Sequence, residues 1–202
     1  MARPAKFDRG EALTAAMHAI WRNGYEAASV KALSEMLGIT RSSFYNAFGS
    51  REDLFREAMT EYAAESPDAP LGGNIASPVL PLLTKVFREI CRARASDPDG
   101  RGCMIVNTVA ELCPSPDGLG AVLAEVVLGS AARFDRLLEI AKAGGEIPAE
   151  VNTHATALAL QNLMVGLNVL CKVVRSEDEL WLLARTTLKG LGLLWEANGA
   201  KL

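Results

Sequence analysis

The sequence predicts an all-α protein in which a small N-terminal head of helices precedes a larger helical domain. Apolar residues recur every three to four positions along most of the chain, which is the spacing of amphipathic helices. Several of these segments begin after a Ser, Asn or Asp that can act as an N-cap. No segment has the alternating apolar and polar residues of a half-buried strand. We therefore expect about nine helices and no sheet.

The composition is that of a globular chain with room for one large domain or two small ones. It has 202 residues, of which 50% are apolar. The N-terminus lacks the apolar run of a secretory signal, and the four cysteines show no paired CxxC spacing. These features predict a cytoplasmic protein with reduced thiols. No metal-binding or phosphate-binding motif is present, so we expect no cofactor.

The charge is distributed unequally along the chain. The net charge is −3, but residues 1–56 carry 8 Lys or Arg against 6 Asp or Glu, whereas the remainder carries 13 against 18. Arg3, Lys6 and Arg9 form a short basic arm at the start. The N-terminal part is therefore the one expected to face nucleic acid.

The stretch from Ser29 to Phe48 has the pattern of a helix-turn-helix. Ser29 is a good N-cap, and Gly38 stands where a helix ends in a left-handed residue. Thr40 can cap a second helix that runs to about Asn46. An ordinary helical hairpin within a core is the alternative on this pattern alone.

The outward side of that second helix suits the major groove of DNA. Small hydroxyl side chains permit close approach, whereas Arg41 and Asn46 can pair with base edges. Tyr45, Ser50 and Arg51 are expected to contact phosphate. The predicted DNA-binding residues are Lys31, Thr40, Arg41, Ser42, Tyr45, Asn46, Ser50 and Arg51.

The surrounding sequence resembles the DNA-binding domain of tetracycline-repressor-type (TetR) regulators. The matching residues are Trp21, Gly24 and Tyr25, then Gly38, Ile39 and Thr40, then Tyr45 and Phe48, and finally Arg51 to Leu54. Trp21 and Arg51 replace the commoner Phe and Lys. The resemblance implies a homodimeric repressor that binds double-stranded operator DNA and is released by a small molecule. It also implies that the last two helices of each subunit form a four-helix bundle.

Helical spacing and turn residues predict the organisation of the remaining chain. We expect a DNA-binding domain at residues 1–50, a linking helix at 51–65 and a ligand-binding and dimerisation domain at 78–202. The intervening stretch is rich in Pro and Gly. The C-terminal helices are predicted at Val79–Ala95, Cys103–Leu112, Leu119–Ala143, Asn152–Arg175 and Glu177–Trp195.

The sequence around Cys103 predicts an effector site. It resembles a Gly-Cys-x-x-x-Asn pattern of some family members, and Cys103, Asn107 and Glu111 would share one helix face. A mostly apolar cavity with a few polar groups suits a small amphiphilic or apolar effector. The predicted lining residues are Phe87, Cys103, Met104, Asn107, Glu111, Phe134, Leu138, Asn162, Val165 and Gly166. Asn107 satisfying backbone groups and Cys103 acting as a small buried hydrophobe is the structural alternative.

A reactive thiol is a second possibility for this site. Cys103 is predicted at a helix N-terminus beside Arg101, a position that can lower a thiol pKa. A thiol-based sensor of electrophiles is therefore an alternative to a reversibly bound effector.

The dimer is expected to form through the last two helices. Residues 155–171 carry no charge, yet the stretch is short for a membrane span and contains amides, so burial by a protein partner is expected and no membrane contact. The predicted interface residues are Leu158, Leu180, Leu183, Ala184, Leu188 and Leu191.

Two other functions compete with a ligand-responsive regulator. A nonspecific or architectural DNA-binding protein would bind chiefly through salt-sensitive phosphate contacts. A helical enzyme or storage protein that has lost DNA binding is disfavoured by Arg41, Tyr45 and Arg51, and the chain has no recognisable catalytic motif. We therefore expect a protein that is not an enzyme.

Overall fold

The structure is a computed structural model that describes residues 7–115 and 118–196. Within those residues it contains nine α-helices, a short 3-10 helix at Ala69–Gly72 and no strand. The α-helices are α1 (Arg9–Asn23), α2 (Val30–Met36), α3 (Arg41–Phe48), α4 (Arg51–Glu65), α5 (Leu80–Ser96), α6 (Met104–Leu112), α7 (Gly118–Ala143), α8 (Thr153–Leu170) and α9 (Glu177–Gly190). The all-α prediction is confirmed. Arg3 and Lys6 of the predicted basic arm lie outside the described residues.

Side-chain caps begin α1, α2 and α3, which form the head, and α4, which follows it. Asp8, Ser29, Thr40 and Ser50 each accept a hydrogen bond from the backbone N–H three residues later. These bonds satisfy amides that have no partner inside the helix. The starts of α1 to α4 therefore follow directly from local sequence.

Two C-terminal helices end earlier than predicted. α8 stops at Leu170 and α9 stops at Gly190, before the predicted Arg175 and Trp195. After α9, Gly192 has a φ of +71° and the N–H of Leu193 donates to the carbonyl of Leu188. This is a Schellman C-cap, and it ends the helix although the apolar spacing continues.

Two hydrophobic cores hold the chain together. The first contains buried residues of α5, α8, α9 and the second half of α7. The second contains the head and α4, and it also takes in Met104 of α6 with Leu119 and Leu123 of α7. The head is therefore packed against part of the C-terminal domain.

Half of the predicted dimer residues lie inside the subunit. Leu180, Ala184 and Leu188 are fully buried in the first core, because this stripe of α9 packs on α5 of the same chain. They are corrected from interface to core residues. Leu158 and Leu183 are exposed, and Leu191 is half-buried. No helix in the described part of the chain combines the length and apolar character that a membrane crossing needs.

Candidate nucleic-acid interface and effector cavity

The outer face of α3 is exposed and polar. Phe44 and Phe48 are buried on its inner side, which fixes the rotation of the helix. Arg41, Ser42 and Asn46 consequently lie exposed on the other side. Tyr45 is 51% exposed although it is aromatic. An aromatic ring, a guanidinium, an amide and small hydroxyls thus share one unobstructed face.

The residues beside this face make local contacts. Thr40 and Ser50 both cap helices, and the Ser50 hydroxyl also donates to the Asp53 carboxylate at 2.7 Å. The Arg51 guanidinium carbon lies 4.0 Å from the centroid of the Tyr25 ring, which is a cation–π distance. Lys31 is exposed, with Glu35 at 4.0 Å. Arg51 is therefore held in position near the N-terminus of α4.

Glu111 attaches the head to the C-terminal domain. Its carboxylate accepts hydrogen bonds from the backbone N–H groups of Tyr25 at 2.9 Å and Glu26 at 3.2 Å. Gly24 stands directly beside it with a φ of +87°, and a Cβ there would overlap Glu111 Oε1. The glycine is therefore needed both for its backbone conformation and for this close approach.

The loop between α5 and α6 forms a second attachment. Trp21 of α1 donates from its indole N–H to the carbonyl of Gly102 at 3.2 Å. Arg101 covers the Trp21 ring and forms an ion pair with Asp97 at 3.0 Å. Although burial acts in the opposite direction, hydrogen bonds from Arg101 lower the pKa of Asp97. The Arg22–Asp99 ion pair at 2.7 Å extends this contact at the surface.

A cavity of about 120 Å³ lies behind this loop. Helices α4 to α8 and the 3-10 helix all contribute to its wall. The lining residues are Tyr62, Ala63, Ser66, Asp68, Ala69, Ile90, Arg94, Cys103, Ile105, Val106, Val126, Val127, Ser130, Arg133, Gln161, Met164, Val165 and Asn168. The wall is mainly aliphatic with a few polar groups, which is the usual composition of a small-molecule site.

A buried hydrogen-bonded trio occupies one side of the cavity. Arg94 is 5% exposed and donates to Asn168 Oδ1 at 2.5 Å and to the Tyr62 hydroxyl oxygen at 3.1 Å. Burial raises the pKa of the Tyr62 hydroxyl, and the nearby Cys103 adds to the shift. Tyr62 is therefore neutral, as is Asn168.

Only two of the predicted lining residues belong to the cavity wall. These are Cys103 and Val165. Cys103 lies at the N-terminus of α6, as the sequence predicts, in the N-cap position and without a side-chain capping hydrogen bond. The other two residues of the predicted face have partners outside the cavity wall: the Asn107 amide donates to the Arg101 carbonyl at 2.8 Å, and the Glu111 carboxylate accepts from the head.

The other predicted lining residues lie elsewhere. Phe87, Phe134 and Leu138 are fully buried in the first core, where the two Phe rings stack with centroids 6.0 Å apart. Met104 is buried in the second core. Asn162 is exposed, and Gly166 lines a surface groove on α8. Apolar spacing predicted burial correctly at Phe87, Met104, Phe134 and Leu138, but not which space these side chains fill.

The exposed apolar residues of α8 and α9 form one surface. Gly166, Val169, Leu170, Lys172, Val173 and Leu183 line a groove between the two helices. Val173, in the turn after α8, is 78% exposed, and Leu158 of α8 and Leu182 of α9 are also exposed. An apolar surface of this kind marks an interaction site.

Family models match both parts of the chain. The model described as "Bacterial regulatory proteins, tetR family" matches residues 12–58. The model described as "Tetracyclin repressor-like, C-terminal domain" matches residues 80–187, which is more than half of the chain. This chain belongs to the TetR family. It is a DNA-binding transcriptional regulator of the ligand-responsive kind.

Relatives of known role agree with this assignment. The chain is 29% identical over 190 residues to the HTH-type transcriptional repressor ComR of Escherichia coli, covering 93% of this chain and 90% of that protein. It is 31% identical over 109 residues to the repressor BdcR of Escherichia coli, which covers 53% of this chain and 55% of BdcR. These relatives do not favour thiol-based sensing as the function.

Solved structures of TetR regulators share the whole fold. A cysteine-substituted form of the regulator CifR, solved with a 26-base-pair operator DNA, matches with a TM-score of 0.80 at 29% identity, over 93% of this chain and 98% of CifR. A TetR family regulator from Agrobacterium tumefaciens matches with a TM-score of 0.74 at 21% identity, over 90% of this chain and 96% of that one. The second likeness concerns the fold alone.

Sequence reasoning missed the trio of Arg94, Tyr62 and Asn168. A signal was present, since Arg94 continues the apolar stripe of α5 four residues after Ile90. A charged residue on the buried face of an amphipathic helix is unusual unless it is paired or functional. Its partners come from α4 and α8, and local spacing does not reveal such contacts.

Proposed function

We propose that this TetR regulator binds its operator through the exposed face of α3 and releases it when a small molecule fills the cavity. The single observation that carries the DNA-binding part is the orientation of α3. Buried Phe44 and Phe48 present Arg41, Tyr45 and Asn46 together on an open face. CifR, whose fold this chain shares over 93% of its length, was solved with operator DNA.

The residues of this face divide into two roles. Arg41 and Asn46 are assigned to base edges, because a guanidinium pairs with guanine and a carboxamide with adenine. Tyr45 and Arg51 are assigned to phosphates, with Lys31, Thr40, Ser42 and Ser50 at the edge of the contact. Stacking on Tyr25 restrains Arg51, which lowers the entropy lost when it meets a phosphate.

A homodimer is proposed to form through the apolar surface of α8 and α9. One head spans too few base pairs for a specific site, whereas two heads can occupy half-sites at least about 34 Å apart. Leu158, Val169, Val173 and Leu183 are exposed in the single chain and would be buried in a four-helix bundle. These residues replace Leu180, Ala184 and Leu188, which the sequence predicts at the interface but which are buried within the subunit.

The route from cavity to DNA passes through side chains in direct contact. Tyr62 is hydrogen-bonded to Arg94 in the cavity wall, and its ring meets Trp21 edge to face with centroids 5.0 Å apart. Trp21 belongs to α1 of the head. A ligand that moves Tyr62 or the Cys103 end of the loop therefore acts on the head, and in a dimer it changes the separation of the two α3 helices.

The test begins with selection of a binding site from random duplex DNA, followed by fluorescence anisotropy on variants. Arg41→Ala is expected to cost about 1–3 kcal/mol on the selected site and to relax sequence preference. Arg51→Ala is expected to weaken all sequences similarly and to reduce the salt dependence.

Arg92→Ala is the matched control, since it removes one exposed positive charge from α5. The proposal fails if Arg41→Ala binds the selected site as Arg92→Ala does. If the wild-type protein bound every duplex with the same affinity, the binding would instead be nonspecific.

A further inference from the structure

The cavity contains a buried positive charge that no carboxylate balances. Arg94 is 5% exposed, and among residues 7–115 and 118–196 no Asp or Glu oxygen lies within 4.0 Å of its nitrogens. Its two partners, Asn168 and Tyr62, are neutral groups. Burying a guanidinium without a counter-charge is costly, so folding alone gives little reason to keep it.

The guanidinium also has donors to spare. The two hydrogen bonds engage Nε and Nη2, whereas an Arg side chain has five N–H groups. No described residue accepts a bond from Nη1, and Arg94 belongs to the cavity wall. A planar fork with unused N–H groups matches the two oxygens of a carboxylate.

We propose that the effector is a small monocarboxylate with a short apolar tail, and that Arg94 binds its carboxylate. The inference rests on the effector cavity of the proposed function and names its ligand class. In its bound form the ligand supplies the negative charge that the protein does not.

The other charges of the wall favour a single negative charge on the ligand. Arg133 and Asp68 also line the cavity, so the three ionised side chains give a net charge of +1. Asp68 accepts a hydrogen bond from the Ser66 hydroxyl. A dianion would leave one charge uncompensated.

A second polar group in the wall lacks a partner. Gln161 Oε1 is fully enclosed and has no hydrogen-bond partner among the described residues. Gln161 lines the same cavity as Arg94. Unpaired buried polar atoms are rare in native proteins, and one on a wall residue of a cavity beside an unbalanced charge is consistent with a polar ligand.

The size of the cavity limits the length of the tail. A volume of about 120 Å³ is close to that of an engineered cavity of about 150 Å³ that holds benzene. The ligand is thus expected to have about six to eight non-hydrogen atoms. The aliphatic side chains of Ile90, Ile105, Met164 and Val165 are available to bury its carbons.

Binding would act directly on the residues that reach the head. A carboxylate on the unused N–H groups of Arg94 shares the guanidinium with Tyr62 and Asn168, so it acts on both of these contacts. Tyr62 contacts Trp21 of α1, and the Asn168 carbonyl lies so close to Gly102 that a Cβ there would overlap it. One ligand group therefore meets both the head contact and α8.

The first experiment uses straight-chain monocarboxylates from acetate to octanoate, each paired with the primary amide of the same length. Binding is measured by calorimetry and thermal unfolding on the full-length protein without DNA. Acids of about four to six carbons are expected to bind best and at least about tenfold tighter than their amides. The inference is overturned if the amides bind as tightly as the acids, or if no acid binds.

Two variants locate the binding. Arg94→Met keeps the length and removes the charge, and it is expected to lose acid binding by at least about tenfold without lowering the thermal midpoint of the ligand-free protein. Arg92→Met, an exposed change on the same helix, is the control and should keep both values. A lower midpoint together with unchanged acid binding would assign Arg94 a structural role and overturn the inference.

Asn168→Asp gives an independent result if Arg94→Met does not fold. It places a carboxylate where Asn168 Oδ1 lies, 2.5 Å from Arg94 Nε, and so neutralises the guanidinium in place. The acids are expected to lose affinity for this variant, and unchanged affinity would overturn the inference.

Operator affinity, measured separately by anisotropy, distinguishes this inference from the proposed function. Acids that bind the wild type but not Arg94→Met support the inference even where the operator stays bound, and only the release mechanism then fails. Release by a neutral compound, with no acid bound, overturns the inference and leaves the proposed function standing.

Discussion

The guanidinium carbon of Arg101 lies 3.8 Å from the centroid of the Trp21 ring. Arg101 belongs to the loop before α6, and Trp21 belongs to α1 of the head. Asp97 forms an ion pair with the same guanidinium at 3.0 Å. The tryptophan is thus clamped by the domain that contains the cavity, and several consequences can be measured.

Replacing Trp21 should weaken the attachment of α1 to the loop before α6, by an amount that depends on the replacement. Trp21→Phe keeps an aromatic face but loses the bond to the Gly102 carbonyl, at a cost of about 1 kcal/mol. Trp21→Leu also loses the cation–π contact and should cost about 2 kcal/mol. Urea unfolding measures both values. Equal losses for the two variants would show that the Arg101 contact contributes nothing.

The Gly24–Glu111 contact should appear as an energetic coupling. Gly24→Ala is expected to destabilise by about 2 kcal/mol or more, because alanine is strained at φ +87° and its Cβ displaces Glu111. Gly38→Ala is the control, since Gly38 has a φ of +65° but open space around a Cβ.

A double-mutant cycle isolates the second effect. In a Glu111→Ala background, Gly24→Ala should cost less than in the wild type, since the displaced carboxylate is already absent. If the losses of unfolding free energy for the two substitutions were strictly additive, Glu111 would move away from the new Cβ at no cost.

Asp97 should make stability depend on pH in the acid range. Its pKa is lowered in the folded state, so its contribution is complete above the unfolded value of about 3.9 and is lost as the pH falls through the folded value. Asp97→Asn should therefore lose about 2 kcal/mol at pH 7 and progressively less toward pH 3.

Unfolding free energies at several pH values test this dependence. Asp99→Asn is the control, because Asp99 forms an exposed ion pair with Arg22 and should have a much smaller effect. A loss at Asp97 that stays constant from pH 7 to pH 3 would contradict the prediction.

Charge on the apolar groove formed by α8, the turn after it and α9 should separate the proposed dimer. Val173→Glu leaves the single chain intact because Val173 is 78% exposed, but it buries like charges in a symmetric interface. Sedimentation velocity at micromolar concentration should show a monomer with weaker operator binding. Leu128→Glu, an exposed change on α7, should remain dimeric. A dimeric Val173→Glu variant would place the interface elsewhere.

Local chemistry made the head predictable from sequence. The caps at Ser29 and Thr40 and the left-handed Gly38 depend on neighbours within a few residues, and all lie as the sequence predicts. The inner side of α3 follows in turn from Phe44 and Phe48.

The cavity and the dimer surface depend on information that spacing does not contain. An apolar stripe predicts burial but not the partner, which explains why Leu180 and Leu188 were assigned to another subunit although α5 covers them. For the same reason the sequence predicts Phe134 in the cavity wall, whereas it lies in the first core. Arg94 was missed because its role depends on the absence of an acidic neighbour in three dimensions.

The shared core of the head, α6 and α7 limits how regulators of this kind can be recombined. Met104, Leu119 and Leu123 belong to the same core as Phe55 and Ala58. A head expressed without them would therefore expose hydrophobic surface. A hybrid that joins this DNA-binding head to the ligand-binding domain of another regulator should fold only if it also includes α6 with Glu111 and the start of α7 from this chain. Domain exchange by gene fusion is therefore constrained, because a junction in the loop between α4 and α5 would divide the second core between two proteins.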